Sequence, residues 1–145
     1  MKRTPELQAL SHDHHHGLAL ARRAKRAAEA GEEKSVREAW AEVETKFESE
    51  LEPHFQIEEA LIAPALELQG ESELTRRLHS EHEALRRCAL PQSGRTRADL
   101  ERFGKLLEAH IRFEESEFFE VAQQRLSADA LHRISEACRA RQGKA

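Results

Sequence analysis

The chain has 145 residues, enough for one domain with a sizeable core, and its 23 basic and 27 acidic side chains leave a net charge of only −4. Lys and Arg are interleaved with Glu rather than gathered into a stripe that could track a phosphate backbone, so nucleic acid is not an expected partner. No apolar run approaches the roughly 20 residues a membrane helix needs. Residues 1–10 also lack the apolar core of a secretion signal, so the expectation is a cytoplasmic protein without a membrane partner.

Strong helix formers dominate, Tyr is absent and only three of the acidic residues are Asp, which reads as an all-α chain forming a single domain over residues 1–145 with its core at about 10–126. Ser11 is the expected N-cap of a first helix closed at Gly31 by a left-handed residue. A second, longer helix runs from Ser35 to about Gly70. Pro53 removes a backbone donor within it and crowds the carbonyl of Ser49, predicting a kink just before His54. Ser72 opens a third helix that stops at Pro91, and Gln92 to Thr96 form the linker to a fourth from Arg97 to Leu126. Ser127 caps a short fifth helix ending near Arg141. Four long helices with short joints predict an antiparallel up-and-down four-helix bundle carrying a short extra C-terminal helix as a flap.

One pattern recurs on this scaffold. His15-x-x-Leu18 precedes His54-x-x-x-Glu58, and His82-x-x-Leu85 precedes His110-x-x-x-Glu114. A His and a Glu four apart on a helix point the same way and can share one metal centre. The spacing alone is weak, because His79/Glu83 and His132/Glu136 share it, so helix faces must discriminate. On the second helix the inward series is Phe47, Leu51, His54, Glu58, Leu61, Ala65. On the fourth it is Phe103, Leu107, His110, Glu114, Phe118, Val121. His82 joins the stripe of Leu74, Leu78, Leu85 and Ala89, whereas His79 sits about 100° away. His132 lies beside its own stripe and reads as solvated.

In the first helix, histidines stand at 12, 14, 15 and 16; the analogy with His82-x-x-Leu85 nominates His15, leaving His12, His14 and His16 as surface or supporting residues. Burying four imidazoles and two carboxylates without partners would cost several kcal/mol per ion. Cations relieve that cost: imidazole suits iron, zinc, copper and nickel and bridging carboxylates at mid-bundle suit paired iron or manganese, so the donors His15, His54, Glu58, His82, His110 and Glu114 fit a dimetal centre. Two bridging carboxylates, two imidazoles per ion and an oxo or hydroxo bridge would leave each iron one open position, where dioxygen, nitric oxide or peroxide could bind. Glu59 and Glu115 read as surface groups or as orienters of an imidazole. Cys88 and Cys138 stand without a CxxC partner and are given no chemistry.

The segments LSHDHHHGLALARR (10–23), HFQIEEALIAP (54–64), LHSEHEALRR (78–87) and HIRFEESEFF (110–119) together resemble the hemerythrin-like HHE domains of bacteria. The resemblance implies a four-helix bundle around a non-haem diiron centre, with His15, His54, His82 and His110 as terminal ligands and Glu58 and Glu114 as bridges. It also implies binding or sensing of dioxygen or a related small oxidant such as nitric oxide, with a redox enzyme or iron-donating iron–sulfur repair factor as the alternative. Leu78 stands where oxygen carriers of this family place a second His one turn before the third-helix ligand. Glu114 follows His110 after three residues, whereas those carriers have Asp after four. Both differences move the chain toward four-His, two-Glu sensors and repair proteins.

Overall fold

The computed structural model describes residues 2–90 and 94–142 and contains five helices in chain order. They are α1 (Pro5–Ala30), α2 (residues 33–68), α3 (Ser72–Ala89), α4 (residues 97–125) and α5 (Ala128–Gln142). The first four form the antiparallel bundle. Part of the expected linker, residues 92–93, and the expected stop at Pro91 lie outside the described residues.

Local chemistry explains most of the boundaries. α1 begins earlier than Ser11, because Pro5 is preset for the first helical turn and Thr4 sits extended in front of it. Gly31 ends α1 in the left-handed region (φ 73°). Gly70 (φ 84°) ends α2 similarly: its N–H donates to the Glu67 carbonyl and that of Glu71 to Leu66, so two carbonyls at the helix end are satisfied. Thr96 caps α4 by accepting from the Asp99 N–H, and Ser127 caps α5 by accepting from the Ala130 N–H.

Three π-helical turns interrupt the long helices: Phe47–Leu51 and Glu58–Ile62 in α2, and Glu114–Phe118 in α4. The first two lie immediately ahead of Pro53 and Pro64, where the proline nitrogens cannot complete the helical ladder. The disturbance expected at Pro53 therefore takes the form of a widened turn in a continuous helix. Each π turn also holds one extra residue, which advances the following stripe by about 100°. That corrects two expected faces: beyond Glu58 the buried residues are Ile62, Ala63 and Leu66 rather than Leu61 and Ala65, and beyond Glu114 they are Phe118, Phe119 and Ala122 rather than Val121.

The apolar interior is split in two. One cluster joins Leu20, Trp40, Val43, Phe47, Phe55, Leu85, Phe103 and Leu107; the other joins Leu7, Leu10, Ile62, Leu66, Leu78, Phe118, Phe119 and Leu126. α5 is no loose flap, since Ala130, Ile134 and Cys138 are buried in the second cluster. A layer of buried polar residues separates the two.

α1 and α4 approach through small residues. A Cβ on Gly104 would stand 2.9 Å from the Ala21 carbonyl oxygen and 2.6 Å from the Lys25 Cγ, and the carbonyl cannot retreat without moving α1. Gly104→Ala is expected to destabilise the fold by about 1–3 kcal/mol in a denaturant titration, even though Ala is the better helix former. A more stable variant would mean that the two helices separate easily.

Candidate metal centre

The separating layer contains His14, His54, Glu58, His82, His110 and Glu114, all buried, with Glu58, His82 and Glu114 fully enclosed. One stripe of α1 carries Leu7, Leu10, His14, Gly17, Ala21 and Ala24. The expectation that His15 faces inward is therefore corrected: it is exposed, and His14 occupies the place assigned to it. The reason is phase, because His14 is four residues after Leu10 and three before Gly17, whereas Leu18 lies at the flank of the stripe and is only half-buried. The other five predicted residues come together. His79 and the His132/Glu136 pair stay outside, with His79 half exposed and 3.9 Å from Glu59.

The two carboxylates each reach both halves of the layer. Glu58 places Oε2 3.0 Å from His54 Nε2 and Oε1 3.1 Å from His82 Nε2. Glu114 places Oε1 2.7 Å from His14 Nε2 and 3.4 Å from His54 Nε2, and Oε2 3.0 Å from His110 Nε2 and 3.6 Å from His82 Nε2. Two overlapping donor groups result, His14–His54–Glu58–Glu114 and Glu58–His82–His110–Glu114. Two ligand atoms about 2.1 Å from one cation and at right angles stand about 3 Å apart, which is the spacing seen here.

The layer also fits a cation by what it leaves unmet. Both Glu58 oxygens, His82 Nε2, His110 Nε2 and Glu114 Oε2 are buried with no hydrogen-bond partner. With the imidazoles neutral, as a cation requires them, each such atom left without a partner costs about 1–3 kcal/mol. Five of them converging on two points is the donor set of a cation site, composed of the nitrogen and oxygen ligands that first-row metals take.

The outer nitrogens form a closed ring. Asp13 on α1 accepts from His54 Nδ1 on α2 at 2.9 Å, and Glu59 on α2 accepts from His82 Nδ1 on α3 at 2.7 Å. Glu81 on α3 accepts from His110 Nδ1 on α4 at 2.7 Å, and Glu115 on α4 accepts from His14 Nδ1 on α1 at 2.6 Å. Each helix thus supplies a carboxylate to the histidine of the next. An ionised carboxylate only accepts, so every Nδ1 carries a proton and every Nε2 is turned inward for a cation. An arginine braces each outer carboxylate: Arg141 on Asp13, Arg86 on Glu59, Arg77 on Glu81 and Arg3 on Glu115. Phe55 stacks on His82 and Phe119 on His14, fixing those ring planes.

Electrostatics follow from this packing. Burial opposes charge on His82, but the facing carboxylates of Glu114, Glu58 and Glu59 outweigh it and raise the imidazole to about 10. Burial likewise opposes charge on His110, and Glu114 and Glu81 raise it to about 9. His54 is also pushed well above its ordinary value against burial, chiefly by Glu58. Glu114, despite burial, is held well below the carboxylate range by His110, His14 and His54.

In the metal-free protein the raised histidines stabilise the fold fully below about pH 6.5, and that contribution is lost as pH rises through about 9 to 10. The lowered Glu114 contributes above about pH 4.5 and loses its contribution as pH falls through its depressed value. A cation must displace the Nε2 protons. At pH 7, loading should therefore release at least two protons per chain, from His82 and His110, and affinity should rise about a hundredfold per pH unit up to about pH 9. Calorimetry in buffers of different ionisation enthalpy measures the release; a value near zero would place the cation elsewhere.

A cavity of about 290 Å³ reaches the layer between α1, α2 and α4. Leu20, Leu51, Phe55, Leu107 and Ile111 form its apolar wall, with His14, His54, His110 and Glu114 at its inner end. The His14–His54 half is thus reached from the surface.

Sequence reasoning missed Asp13 and Glu81 as supports. Both directly precede an inward histidine in the chain, and this acid-His dipeptide was the available signal. A family model described as the hemerythrin HHE cation-binding domain matches residues 6–122. No curated protein matches the chain, and neither does any solved structure.

Proposed function

The chain belongs to the hemerythrin HHE cation-binding domain family, and from that premise we propose that it holds a non-haem diiron centre which binds or senses dioxygen or a related small oxidant such as nitric oxide. The observation that carries this reading is that Glu58 and Glu114 each direct one oxygen at each of two histidine pairs. In this reading His14 and His54 would hold one ion and His82 and His110 the other, with Glu58 and Glu114 shared between them. Metal binding itself follows from the family and from the buried His/Glu groups.

When bound, an iron pair supplies reversible one-electron chemistry and an open coordination position for a diatomic molecule. The protein's part is orientation and exclusion. The ring of outer carboxylates fixes each imidazole in one tautomer, the two apolar clusters close the layer off on either side, and the cavity gives small molecules and ions access at the His14–His54 side. Among the described residues no helix is long and apolar enough to cross a membrane.

The test is metal analysis of protein made in iron-replete cells, with the visible spectrum recorded before and after anaerobic reduction and re-exposure to air. Two irons per chain, with charge-transfer absorption that bleaches on reduction and returns in air, is the expected result. Absence of bound metal even after reconstitution with ferrous iron would sink the reading.

A further inference from the structure

The histidine run on α1 contains more imidazole than the buried layer uses. His12, His15 and His16 are all exposed. His12 and His16, four residues apart on one face, have ring centroids 5.5 Å apart, and those of His12 and His15 are 5.8 Å apart. His16 Nδ1 lies 3.6 Å from the Glu50 carboxylate across the groove to α2. Exposed imidazoles are donors that first-row divalent cations take readily.

Position makes the cluster more than a polar tract. His15 and His16 line the same cavity as His14, His54, His110 and Glu114. His12 and His15 line a shallow depression beside it, and Asp13 and His15 belong to both. Donors therefore follow one another from the surface to the layer. The cationic heads near the mouth do not oppose this, because Lys46 is paired with Glu50 at 2.9 Å and Arg23 with Glu42 at 2.8 Å.

We propose that His12, His15 and His16 form an entry site for a divalent first-row transition cation, which passes from there through the cavity to the His14–His54 half of the buried layer. The proposal rests on the reading that the buried layer holds metal. The surface histidines raise the local cation concentration at the mouth, so their role is in the rate of loading and not in the final content.

The test compares the whole chain with a variant carrying His12→Gln, His15→Gln and His16→Gln, exposed positions whose replacement leaves the core untouched. Anaerobic uptake of Fe²⁺ at limiting concentration is expected to slow about tenfold with unchanged final content. In the Glu58→Gln/Glu114→Gln background, Zn²⁺ titration is expected to lose one cation per chain when the three histidines are also replaced. An unchanged Fe²⁺ uptake rate overturns delivery, and an unchanged Zn²⁺ count overturns the surface site. Failure of the diiron reading has another signature, a wild type that takes up no Fe²⁺; that outcome overturns delivery as well, while the Zn²⁺ count still decides whether the surface site exists.

Discussion

Replacing Glu58 and Glu114 together with Gln is expected to abolish metal binding while the helical bundle still folds. Both carboxylates are fully enclosed, and each directs an oxygen at both histidine pairs. The amide keeps size and shape but removes the charge and half of the acceptor capacity. Without carboxylates the buried imidazoles lose what holds their protons and become neutral near pH 7, so the metal-free variant carries no uncompensated buried charge. The difference should appear only with metal present. At about a thousandfold excess of cation over its dissociation constant, wild type gains about 4 kcal/mol for one bound ion, and the double variant gains nothing. Thermal melts with and without ferrous iron make the comparison. Equal metal-dependent stabilisation of both proteins would sink the role given to the carboxylates.

The second large effect separates neighbouring histidines. His14→Ala should lower affinity at the His14–His54 half by more than about a hundredfold, since losing a residue that only orients a ligand already costs about 10- to 100-fold. His15→Ala should leave affinity and final content unchanged, because that ring is exposed and packs against His12 outside the buried layer. Metal content after equilibrium dialysis reads both directly. The reverse pattern would mean that α1 is rotated by one residue from the arrangement described.

The confusion of His14 with His15 shows where the sequence is hard to read. α2 and α4 mark their inward faces with Phe and Leu on the approach to each His-x-x-x-Glu, and their polar pairs were legible for that reason. Beyond His14, α1 continues its face with Gly17, Ala21, Ala24 and Ala28 because it packs closely on α4, and small residues carry little hydrophobic signal. Leu18, a half-buried residue at the flank, drew the stripe one residue off. The bundle and its extra helix were readable from helix formers, Gly31, Gly70 and Ser127. The supports Glu59 and Glu115 were within reach as neighbours of the bridging residues. Asp13 and Glu81 were missed although each directly precedes an inward histidine: all four supports serve the histidine of another helix, and one sequence does not say which helices are neighbours.

The π turns that open at Glu58 and Glu114 make the chain unusually sensitive to length. Each contains one residue more than an α-helical turn would, and everything beyond it is phased to that surplus: Ile62, Ala63 and Leu66 on one helix, Phe119 and Ala122 on the other. Deleting a single exposed residue such as Ala60 or Ser116 would restore a regular helix, the more favourable local backbone. It would also swing the short distal segment of that helix by about 100° and turn its apolar face out of the second cluster. At these two places an exposed side chain can be exchanged with little consequence, whereas its peptide unit cannot be removed.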